Sequence, residues 1–141
     1  MDRGHAAVEF AMAVVVLMLP VALVVTSFGP WSERRVLAES MAAEAARSAV
    51  LSLDETAGSV VVTQGALGHG LTEDLVRFGW CGATPGSLPD GAGGCSMARG
   101  STVSAQVEVW NPLIVTPWGS IGGLWVSAEH AEPVDLYRSL P

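Results

Sequence analysis

The chain has 141 residues, about one domain's worth, with 14 acidic residues against 7 basic ones and a net charge of −7. Every base is arginine. Such a surface repels phosphate backbones and holds no polybasic patch, which argues against nucleic-acid binding and against electrostatic docking on anionic lipid.

The first element is apolar. Ala6–Phe28 contains one charge, Glu9, and Phe10–Val25 contains none. As a helix this stretch extends roughly 35 Å, enough to cross a hydrocarbon core. Pro20 lies inside it, and proline is tolerated in membrane helices. A secretory signal is one alternative. Its basic start would be Arg3 alone, offset by Asp2, and "VVTSFGP" fits a small-residue cleavage site poorly. A plain membrane anchor is another, and it leaves Glu9 unexplained. An ionised acid within a span costs on the order of 3 kcal/mol even on lenient scales, so a partner or a function is expected for it. Arg3 precedes the span while Arg34 and Arg35 follow it, which by counting alone would put the C-terminal side in the cytoplasm. The cysteines argue the other way.

Gly29–Pro30 is expected to interrupt this helix. "WSERRVLAESMAAEAARSAVLSL" then reads as a second helix or a continuation, with Ser32 as a candidate N-cap. Val36, Leu37, Met41, Ala45, Ser48 and Ala49 make its apolar face, with Glu39, Glu44 and Arg47 elsewhere. Residues 54–67 are ambiguous. Asp54 suits a helix cap, while Val60–Val62 and two glycines weaken a helix; the reading here is helix.

The last third reads as β structure. "STVSAQVEVW" alternates Val103, Ala105, Val107 and Val109 with polar residues, as a half-buried strand does. "IGGLWVSAEH" reads as its partner, with "NPLIVTPWG" as a long connection between them. A third strand is expected through "DLVRFGW". Trp80, Trp110, Trp118 and Trp125 are expected to pack in the core or on the sheet. Asp135 and Arg138 would pair locally if a helical turn forms there.

Cys81 and Cys95 enclose 13 residues, "GATPGSLPDGAGG", rich in turn formers. Neither lies in a CxxC or beside a histidine, so zinc is poorly supported. Outside the cytoplasm a disulfide is the expected state; two buried thiols are the alternative. His5, His69 and His130 lack ligand spacing, and neither GxSxG nor HExxH occurs. The chain is therefore read as a non-enzyme, with no catalytic, metal or cofactor residues and no small-molecule substrate.

One resemblance accounts for Glu9. "RGHAAVEFA" is similar to the N-termini of TadE-like proteins, the minor pilins of the Tad/Flp (type IVb) pilus system, in which a short leader ends in Gly and Glu stands fifth in the mature chain. Here the leader would be residues 1–4 and the processing site Gly4–His5. Glu9 is then the fifth mature residue and, with Phe10, forms the assembly signature; Phe10 stands where the Flp class usually has Tyr. The chain length also resembles TadE more than the shorter major pilin, and "VDLYR" near the end is similar to the ends of TadE-like proteins. The resemblance implies an α+β fold: a long transmembrane and assembly helix over 5–29, then a small helical and antiparallel-sheet pilin-like domain over 30–141, exported and disulfide-bonded. It implies a single-pass protein of the cytoplasmic membrane whose partners are the membrane, a prepilin peptidase, other Tad/Flp pilins and the pilus assembly platform, with possible entry into an extracellular pilus.

Overall fold

The computed structural model describes residues 5–88, 91–116 and 118–137. The chain is an α+β fold in which an apolar N-terminal helix runs on into a head of two helices packed on a four-stranded antiparallel sheet.

Helix α1 spans His5–Ser52, 48 residues, with Pro20 and Pro30 inside it. The expected break at Gly29–Pro30 is therefore a continuation. Each proline removes one backbone donor, and the remaining bonds on either side carry the helix through. Ser32 is consequently no N-cap; its hydroxyl donates to the Gly29 carbonyl at 2.8 Å, one turn back.

The two halves of α1 differ in what surrounds them. Every described side chain from position 5 to 30 is exposed. From Leu37 onward a stripe is buried: Leu37, Ala38, Met41, Ala42, Ala45, Ala46 and Ala49. Their three- and four-residue spacing is one face of a helix. That face is turned from the expected one, because Val36 is 64% exposed and alanines fill the seam instead.

Leu53 takes φ +58 to end α1, and Asp54 starts the next helix by accepting the Thr56 N–H at 2.9 Å. Helix α2 spans Glu55–Gly68, as read. It crosses α1 closely at Gly58, where a methyl group would meet the Ala45 carbonyl oxygen at 2.7 Å and the Trp80 ring at 2.6 Å. A single 3-10 turn, Glu73–Leu75, leads into the sheet.

The strands are β1 (Val76–Trp80), β2 (Gly86–Ser87), β3 (Thr102–Thr116) and β4 (Gly119–Pro133), in the order β2-β1-β3-β4. The three expected strands are present. Val76, Phe78 and Trp80 of β1 and Val103, Ala105, Val107 and Val109 of β3 are buried beneath the helices. Phe78 meets Trp80 edge-on, with ring centroids 4.7 Å apart. The other face carries Arg77, Glu108 and Ser127, consistent with alternation along a strand.

The connection expected over 111–119 is instead strand. β3 and β4 stay paired from Thr102↔Pro133 to Thr116↔Gly119, a hairpin with a two-residue connection. β1 pairs with β3 only as far as Val109, so Pro112 meets no strand on that side, where a missing donor is harmless.

Candidate functional site

The candidate site is the N-terminal end of α1. Gly4 lies outside the described residues; His5 opens the helix and Glu9 follows one turn later. Residues four apart share a helical face, so the backbone of His5 and the carboxylate of Glu9 lie on one side. Glu9 is exposed, and among the described residues nothing pairs with it. Phe10 is 73% exposed beside it. His5–Ala22 has a mean hydropathy of 2.0, and none of it is buried against the head. By length and composition it is either a membrane span or a signal sequence.

The far end of this tract is marked by a cluster of aromatic and charged side chains, of which Trp31 alone was not singled out in the sequence. The rings of Phe28 and Trp31 lie tilted against each other, centroids 5.7 Å apart. The Arg35 guanidinium lies 5.8 Å from the Trp31 ring and bonds Glu39 at 3.0 Å. An aromatic pair followed by fixed charge is the side-chain order found where a helix leaves hydrocarbon for water. The signal was present in "FGPWSERR", where Trp and Arg fall at helical spacing.

Cys81 and Cys95 form a disulfide, with Cα atoms 5.4 Å apart. It ties the end of β1 to the segment leading into β3, as expected. Within the loop, Ala92 bonds the edge of β1 through Trp80 N–H and Phe78 carbonyl. The Glu55 carboxylate at the start of α2 accepts the Cys95 N–H, so the loop is also held by a helix. A disulfide of this kind suggests an extracytoplasmic head.

No family model, curated protein or solved structure matches the chain. The site therefore rests on its own residues.

Other groups singled out in the sequence are dispersed. Among the described residues no three His, Cys, Asp or Glu side chains gather to hold a metal ion. His130 bonds Glu132 on β4 at 3.3 Å and lies far along the chain from His5 and His69. Trp80 is buried. Trp110 and Trp125 pack edge-on across β3 and β4 at 5.2 Å, with Arg77 4.1 Å above Trp125. Trp118 corrects the expectation for the tryptophans. At 91% exposed it packs against neither core nor sheet, because it stands in the turn of a hairpin longer than the head. Asp135 accepts the Tyr137 N–H at 2.9 Å, and its expected partner Arg138 lies outside the described residues.

Proposed function

We propose that the chain is a minor pilin of a Tad/Flp (type IVb) pilus system. It is made as a precursor, held in the cytoplasmic membrane by residues 5–29 with the head outside, and cut after Gly4 by a prepilin peptidase. The observation that carries this reading is Glu9: a carboxylate one helical turn past the Gly4–His5 bond, at the open end of a long apolar helix that continues without a break into an α+β head.

The chemistry follows from the cut. Hydrolysis of the Gly4–His5 bond leaves an α-amine on His5, a cation at neutral pH. Glu9 then has a counter-charge of the right sign at the tip of an otherwise neutral helix. When a subunit moves from the membrane into an assembly, its Glu9 meets the amine of a neighbour, and both charges leave water together instead of singly. The exposed apolar side chains from Val8 to Phe28 pack against lipid before this step and against other pilin helices after it.

The deciding measurement is the first residue of the mature protein. His5 supports the proposal. Met1 would make the chain an unprocessed single-span protein with an extracytoplasmic binding head, and a start near Pro30 would make it a secreted one. Replacing Gly4 with a bulky residue should leave full-length precursor by intact mass, because the peptidase must approach that backbone closely; normal cleavage of the variant would overturn the mechanism.

A further inference from the structure

Past Asn111, which is still buried, the β3–β4 hairpin extends beyond the core. Beyond Val109 and its partner Val126 both strands continue, and nothing from Trp110 to Ala128 is charged although the protein carries 14 acids. Four large apolar side chains there are bare: Trp118 is 91% exposed, Ile121 63%, Leu124 56% and Leu113 48%. They occupy both faces of the ribbon. Leu124 pairs with Asn111, which continues the core face of β3, whereas Ile121 pairs with position 114 on the opposite face. A strand pair built to dock on one protein surface needs one apolar face; this one has two.

The direction of the hairpin identifies what surrounds it. Gly58 touches both Ala45 of α1 and Trp80 of β1, and Trp80 pairs with Ala105, so these four residues share a level. Further along α2, Gly65 lies against Met41, so α2 runs antiparallel to α1. Its end leads through the 3-10 turn to Val76, which pairs with Val109. Strand β3 from Ala105 to Val109 therefore runs toward the N-terminal half of α1. From Ala105 to Thr116 the strand covers about 36 Å, equivalent to about 24 residues of helix, or about 18 if the two are inclined by about 40°. Counted back from Ala45, the tip reaches the level of positions 21–27. That is the end of the apolar tract, beside Phe28 and Trp31.

We propose that the hairpin tip is a second membrane contact, with Trp118, Ile121, Leu113 and Leu124 seated in the interfacial layer of the outer leaflet next to the emerging α1. Tryptophan prefers that layer, where its ring is apolar and its N–H remains wet. The contact works by burial of apolar surface and not by charge, so it is insensitive to salt. It rests on the reading that α1 spans the bilayer. It adds that the head leans on the membrane at two points, which fixes its tilt before assembly and must be given up on extraction.

The test uses the full chain reconstituted in phosphatidylcholine–phosphatidylglycerol vesicles whose lipids are brominated high on the acyl chain. Emission of Trp118 is taken as the difference between the wild type and Trp118→Phe; that of Trp31 as the difference from Trp31→Phe. The expected result is that bromine quenches both differences to the same fraction, unchanged by salt. If Trp31 is quenched while Trp118 emits as a water-exposed indole, the helix spans and the hairpin does not touch lipid, which overturns this proposal alone. If Trp118 is shielded from aqueous iodide but not quenched by bromine, it is covered by protein such as a second copy of the chain, and the proposal also fails. If neither is quenched, the span itself is wrong.

Discussion

Alanine at Gly58 and alanine at Gly65 separate close contact from helix propensity within one element. Both glycines lie inside α2, so each substitution should gain about 1 kcal/mol from propensity alone. Their surroundings differ. A methyl at 58 would sit 2.6 Å from the Trp80 ring and 2.7 Å from the backbone oxygen of Ala45. Carbon atoms pack at about 3.5–4.0 Å, so a buried ring or a whole helix must retreat by about 1 Å. Overpacking of that kind costs about 1–3 kcal/mol beyond the burial gained, which leaves Gly58→Ala less stable by about 1 kcal/mol. A methyl at 65 meets only Cγ and Sδ of Met41, both at 3.1 Å. An unbranched thioether yields by a few tenths of an ångström, so Gly65→Ala should be neutral or more stable by up to about 1 kcal/mol. The two variants should thus differ by about 1–2 kcal/mol, which for a head of this size is roughly 5–10 °C in midpoint. Urea unfolding of the full chain in detergent, followed by tryptophan fluorescence, measures it. Equal stabilities, or a more stable Gly58→Ala, would refute the close crossing of α1 and α2 at this glycine.

Other outcomes follow from the same structure. Replacing Cys81 and Cys95 together with serine should lower stability by about 3 kcal/mol, the loop-entropy value for their separation of 14 residues, and dithiothreitol should weaken the wild type to match while leaving the variant unchanged. Gly123→Ala would push a methyl to within 2.2 Å of the Trp110 ring, so the Trp110–Trp125 pair should come apart, with loss of about 0.5–1.5 kcal/mol and of its near-ultraviolet circular dichroism. On the proposed reading, Glu9→Ala should still be cut to His5 and still reside in the membrane, but should not copurify with partner pilins; normal incorporation would remove the pairing role proposed for this carboxylate.

Much of the head was legible because strand alternation and a helix cap leave marks in the sequence. Four alternating small and branched residues marked β3, and Asp54 marked the start of α2 despite its glycines. The misjudged features have physical causes. The face of α1 was turned because hydropathy favours Val36 over alanine, whereas the head needs a thin seam so that a helix and a strand can approach α1. Pro112 reads as a strand breaker unless one knows that β1 stops at Val109 and leaves that edge free. Gly29–Pro30 reads as a stop, yet an apolar helix has neighbouring bonds enough to pass through it. The candidate site was legible in a different way. Glu9 was conspicuous because a charge is costly in so apolar a stretch, while the role proposed for it depends on a bond cut that leaves no trace in the fold.

The unbroken course of α1 has a mechanical consequence. At 48 residues it is a rod of about 72 Å joined end to end by one ladder of hydrogen bonds. With no loop between the apolar half and the head, a twist or pull applied at His5 arrives at the sheet undiminished. The ladder lacks a rung at Pro20 and another at Pro30. Under tension along the helix axis, those two turns would lengthen first, one within the apolar half and one just ahead of the head, and the chain would stretch at set places without unfolding its sheet.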